Sequence, residues 1–136
     1  MPTNISWKLT VEIQSGPSII VTNAVQADAY DRIEVKVPDS TAAPTATTVD
    51  VQPGVAGKVK LLLICSTKYG DDLKPLKYQV HDNTTPERLL NDAVFLVGAG
   101  SLDLLEDPTA PLDKLLVTNT TGQDVVLEII VGRAAT

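Results

Sequence analysis

The chain has 136 residues, of which 43% are apolar, 21% charged and only 4% aromatic. At this length the scaling of surface with mass lets roughly two thirds of the unfolded surface be buried, enough for one core without metal or disulfide staples. Eleven basic against 17 acidic residues give a formal charge of −6, and no run approaches the ~20 apolar residues of a bilayer-spanning helix.

The charge is uneven. Residues 1–68 carry six acids and six bases, residues 69–136 eleven acids and five bases, so the whole excess lies in the second half. Nucleic-acid binding needs a basic footprint that releases counterions from phosphates, and no Lys/Arg cluster interleaved with aromatics is present. The expectation is therefore neither a nucleic-acid nor a membrane partner. The opening Met1-Pro2-Thr3-Asn4-Ile5-Ser6-Trp7-Lys8 has no basic stretch followed by a continuous apolar one. A secretory leader is not expected, and the expected location is the cytoplasm, or a virion-like particle for a phage-derived chain. Cys65 is the single cysteine, which excludes an intramolecular disulfide and a cysteine-based zinc site. Three Asn-x-Thr/Ser triplets, at Asn4, Asn83 and Asn119, carry no weight in a chain so rich in threonine.

Along the chain the dominant period is two. Ile5, Trp7, Leu9, Val11 and Ile13 alternate with Ser6, Lys8, Thr10 and Glu12, the pattern of a strand with one buried face. Gln14 to Ser18 reads as a turn and Ile19 to Thr22 resumes in extended form, which predicts a hairpin. From Val25 to Val37 the odd positions are apolar except Asp31, where a bulge or bend is expected. Residues 38–48, small, polar and proline-marked, read as an exposed loop. Val49 and Val51 form a short strand, Pro53 to Gly57 a turn, and Val59 to Cys65 a strand apolar on both faces.

A loop from Thr67 to Pro75 leads into alternating Leu76, Tyr78 and Val80. Thr85-Pro86-Glu87 has the form of an N-cap, first helical position and first-turn acid, predicting one helical turn. Ala93 to Val97 is a further buried strand, ended by Gly98-Ala99-Gly100. The segment from Ser101 to Asp107 is ambiguous. Leu115 and Val117, a turn over Asn119 to Asp124, and Val125 to Val131 read as a closing hairpin. Turns every ten to fifteen residues and no long helical period predict one domain over residues 1–136. It is all-β, an antiparallel jelly-roll-like sandwich of about eight strands with at most one short helical turn.

Candidate chemistry is sparse. His81 is the single histidine, with Asp82 beside it and Asp71-Asp72 ten residues earlier, the makings of a base with an orienting carboxylate. No Gly-x-Ser-x-Gly nucleophile turn accompanies it. Cys65 shares the parity of Leu61 and Leu63, which places it in the core rather than in reactive contact with solvent. Asp103, Glu106 and Asp107 lack the spacing of a calcium loop, and the glycines at 98 and 100 lack the basic residue of a phosphate loop. No cofactor and no metal are expected. Trp7, Tyr78 and Phe95 lie in apolar phase, leaving Tyr30 and Tyr69 as the rings open to a glycan.

Strands apolar on both faces need a cover beyond one opposing sheet, and a second subunit supplies one. The reading that follows is a non-catalytic, self-associating structural protein, homo-oligomeric and able to join other assembly proteins, of the kind found in virions and phage tails. Residues 38–47 and 67–75 are its expected contact loops. The alternative is a small-ligand or carbohydrate-binding sandwich module using Tyr69, Asp71, Asp72 and His81.

Overall fold

The computed structural model describes residues 3–51 and 58–134. In chain order these form β1 (Thr3–Glu12), β2 (Ser18–Ala27), β3 (Ala29–Val37), β4 (Ala46–Asp50), β5 (Val59–Ser66), β6 (Leu76–Val80), β7 (Arg88–Leu89), β8 (Val94–Val97), a single helical turn α1 (Ala99–Leu102), β9 (Lys114–Asn119) and β10 (Val125–Arg133). The first two strands pair only with each other. The other eight make two four-stranded sheets, ordered β3-β10-β5-β8 and β4-β9-β6-β7, and every pairing is antiparallel. Apart from the β6–β7 pair, each consecutive connection crosses from one sheet to the other. This is the interleaved order of an eight-stranded jelly roll.

Period-two alternation builds the space between the sheets. From β10, Val125, Leu127, Ile129 and Val131 point inward at 1% exposure or less. They meet Leu76, Tyr78, Val80, Leu115 and Val117 of the opposite sheet, with Leu62 and Ile64 alongside. Burial of each such side chain is worth about 1.5–3 kcal/mol before entropy is charged against it. Among the described residues no helix is long and apolar enough to cross a membrane.

Several local expectations are corrected. The strand through Asp31 is continuous, with Asp31 opposite Val131 and its carboxylate 2.6 Å from Arg133 Nη1; the interruption lies at Asp28, between β2 and β3. Thr85 opens no helix, because its hydroxyl donates to the Val80 and Asp82 carbonyls instead of to a following turn. The helical turn falls at α1. Most consequentially, β9 and β10 are not a hairpin: β9 pairs with β4 and β6, β10 with β3 and β5. Asn119, fully buried, turns the corner. Its amide donates to the Val37 and Gln123 carbonyls, and its Oδ1 accepts from the Thr121 backbone and hydroxyl. The loop at 38–48 is mostly exposed, yet β4 begins inside it at Ala46, and Asp39 is tied to the same corner through Asp124 and Gly122. The turn expected over Pro53 to Gly57 lies outside the described residues.

The β1–β2 ribbon is an arm. Cross-strand partners share a face, so Ile5 with Val25, Leu9 with Val21 and Val11 with Ile19 make one apolar side. The base of that side rests on the outer surface of the β3-β10-β5-β8 sheet. The Trp7 and Phe95 rings stand edge to face at 5.3 Å, and a Cβ at Gly132 would meet Ile5 Cδ1 at 2.7 Å. Leu61, 3% exposed, belongs to this second layer and not to the core between the sheets. The outer face of the doubly apolar β5 is thus covered at its Leu61 end by this chain's own N-terminal strands, while Leu63 and Cys65 stay half-buried.

Candidate functional site

The four residues of the ligand-binding alternative stand at opposite ends of β6. Tyr69, Asp71 and Asp72 precede it and His81 follows it, across five residues of strand, roughly 17 Å. At the first end the loop is internally satisfied. The Tyr69 hydroxyl accepts from the Ser66 backbone at 3.2 Å and its ring, expected in solvent, packs partly buried against the core. Gly70 is required there, since a Cβ would run into the Leu76 backbone nitrogen. Asp71 Oδ1 accepts from the Leu73 and Lys74 backbone amides. Those two donors, Lys74 foremost, hold its carboxyl below the ordinary carboxylate range. Asp72 is exposed.

At the second end His81 adopts φ 75°, a left-handed conformation uncommon for a residue with a side chain. Its backbone is fixed by donation to the Lys114 carbonyl at 2.9 Å. The ring's Nδ1 lies 2.8 Å from Asp113 Oδ1 and Nε2 lies 3.8 Å from Asp82 Oδ2. Asp82 is held below the usual range chiefly by the Thr84 hydroxyl and amide. Asp107 is held down first by the Thr109 hydroxyl, then by the Thr109 and Ala110 backbone amides.

This is an oriented imidazole in an acidic corner, and its neighbouring hydroxyls are committed elsewhere. Thr84 donates to Asp82, Thr109 to Asp107, and Thr85 to main-chain carbonyls. The adjoining hollow, lined in part by Arg88, Leu104 and Glu106, holds about 220 Å³, below the ~300–1,000 Å³ of ordinary small-molecule sites. Arg88 stands at its wall, donating to the Leu104 carbonyl at 3.0 Å. Glu106, 6% exposed, accepts from the Leu112 amide at 2.6 Å, so it serves the fold. Among the described residues no three His, Cys, Asp or Glu side chains converge as metal ligands. Cys65 is half-buried on the outer face of β5, not in the core between the sheets.

The largest departure from an ordinary monomer surface is the arm. Its base is half-buried, but beyond Trp7 exposure rises to 45% at Leu9, 46% at Val11, 59% at Ile19 and 42% at Val21. The geometry explains the gradient. Ile5 lies over Gly132 of β10, Trp7 over Phe95 of the edge strand β8, and the next apolar residues have passed the sheet's edge. The period-two pattern showed which face is apolar and not that half of it overhangs. Compared with known proteins, the chain matches no protein family, no curated protein and no solved structure. Fold and surface together define an antiparallel jelly roll that carries a partly seated, partly bare two-stranded arm.

Proposed function

We propose that this protein is a non-catalytic, self-associating structural subunit of a repeated assembly, comparable in architecture to the jelly rolls of virus capsids. The observation that carries the reading is the bare apolar half of the arm. Of the ten large apolar residues that stand exposed among the described residues, six belong to the arm, Leu9, Val11, Ile13, Ile19 and Val21 in phase on one side and Ile20 on the other. A monomer rarely shows so concentrated a patch, and two free ribbon edges beside it invite aggregation unless a partner closes them. The acid-rich second half keeps the rest of the surface soluble and disfavours unspecific contact.

The experiment is light scattering during size-exclusion chromatography at two protein and two salt concentrations. A discrete oligomer that persists at high salt is expected, because an apolar contact is not screened. A single species of about 14.5 kDa under every condition would overturn the proposal. The ligand-binding alternative is disfavoured by the separation of Tyr69, Asp71 and Asp72 from His81 along β6.

A further inference from the structure

Resting on that reading, we infer that two copies of the chain associate reciprocally, arm on arm, by stacking the apolar faces of their overhanging β1–β2 halves about a two-fold axis. Three observations lead there. The first is the two-sidedness of the ribbon. One face carries Leu9, Val11, Ile19 and Val21 in paired register, while the reverse carries Lys8, Thr10, Glu12 and Thr22, with Ile20 its one large apolar residue. A stacked pair buries the first face and leaves the second in water, as in any two-layer β packing.

The second is the character of the other surfaces among the described residues. The outer sheet surface that takes the base of the arm is already occupied by it. What remains of that surface mixes half-buried Leu63, Cys65, Val126 and Ile130 with charged pairs, Arg32 with Glu128 at 2.9 Å and Lys36 with Asp124 at 3.4 Å, so no exposed apolar strip of the arm's width is left on it. Among the described residues the exposed large apolar ones outside the arm, Tyr30, Leu73, Leu89 and Leu104, are scattered over different elements and loops. An arm from a second copy therefore finds a matching apolar surface of its own size on the arm itself. Such a self-complementary contact closes at two subunits and does not propagate by itself.

The third is area. With Ile13 continuing the face into the turn, its five half-exposed Val, Leu and Ile side chains amount to on the order of 400 Å² per arm, the size of the largest, often functional, patch on a monomer. Two stacked faces with their polar rims then bury about 1,000 Å², the threshold for a specific contact. The same face is continuous with its seated half, where Trp7 and Ile5 already make an interface of this kind with β8 and β10.

The test compares the full chain with the pair V11K/I19K, directly cross-strand on the apolar face, and with I20K on the reverse face, in equilibrium sedimentation across a hundredfold range of concentration. Both sites are exposed in one copy, so melting and far-ultraviolet circular dichroism should match the parent, which separates lost association from lost folding. The expected result is a dimeric parent, a dimeric I20K, and self-association weakened on the order of 100-fold or more in V11K/I19K. Retention of the oligomer by V11K/I19K would overturn the arm contact while leaving self-assembly standing. A monomeric parent would overturn both, and a monomer that instead co-sediments with phosphatidylcholine vesicles through this face would reassign the arm to a bilayer surface.

Discussion

Ile129 and Ile19 occupy the same kind of position, an apolar residue on the inward side of an alternating strand, and their surroundings differ completely. Ile129 sits in β10 between two neighbouring strands and under a second sheet, 0% exposed; Ile19 sits at the far end of a two-stranded ribbon, 59% exposed. Alternation specifies which side of a strand is apolar, whereas burial requires a second layer at the right height. In the sandwich that layer is the opposite sheet. Along the arm it is present under Ile5 and Trp7 and missing from Leu9 onward.

The comparison can be broken most forcefully by truncation. Ile129→Ala should cost about 2–5 kcal/mol in denaturant unfolding through lost transfer and a cavity, whereas Ile19→Ala, measured at a concentration where the protein is monomeric, should stay within ~0.5 kcal/mol. Equal costs would mean that the arm is covered within one copy. The corner supplies the next effect: Asn119→Ala leaves the Val37 and Gln123 carbonyls without this donor inside the protein, and a loss of about 2–3 kcal/mol is expected by the same assay. At the boundary between the two regions, Trp7→Ala removes an edge-to-face ring pair worth about 0.5–1.5 kcal/mol beyond its area. It should also raise hydrogen exchange at the backbone of the arm's base without altering that of β10.

A smaller effect is electrostatic. Asp39, Asp71, Asp82, Asp107 and Asp124 are all held below their ordinary 3.8, the first-ranked donors being Thr41, Lys74, Thr84, Thr109 and Asp39 respectively. A lowered carboxyl binds its proton more readily in the unfolded chain, so its contribution is complete above the unfolded value and disappears as pH falls through the folded one. Thermal midpoints should be level above about pH 5 and decline below about pH 4, and Asp82→Asn should flatten that decline. All five donors lie in loops of the sandwich, so the seating of Trp7, followed by its fluorescence, should respond only when the sandwich itself melts. Smallest of all, Arg32→Ala, which breaks an exposed pair with Glu128, should leave the midpoint unchanged within error.

Much of the sandwich was legible because period two is a strong local signal: the strands at Ile5 to Val11, Leu76 to Val80, and Val125 to Val131 stand where alternation places them. Partnership was not legible. The short turn between Asn119 and Val125 suits a hairpin or a corner equally, and the decision is made by the Asn119 amide bonding to Val37, 82 positions away. For the same reason Tyr69 and His81, twelve positions apart, looked like neighbours, until the strand between them carried them to opposite ends. The need of Val59 to Cys65 for a second cover was readable from its two apolar faces. That the cover would be Ile5 and Trp7 depended on a close approach at Gly132 that no local pattern encodes.

The connectivity of the arm also sets an order of events in folding. Its strands are joined through residues 13–17, with Gly16 donating to the Ile13 carbonyl, so the ribbon is a local structure that can close in about 1–10 μs. The strands that carry its seat meet only across long stretches of chain, as Arg32 and Glu128 do over 96 positions. Such pairings belong to the slow, millisecond-to-second regime. For most of that interval a nascent chain displays the whole apolar side of the ribbon, base included, with no sheet to receive it. Refolding yield should therefore fall with protein concentration more steeply than for a jelly roll without an arm, and the earliest encounters between chains should be encounters between ribbons.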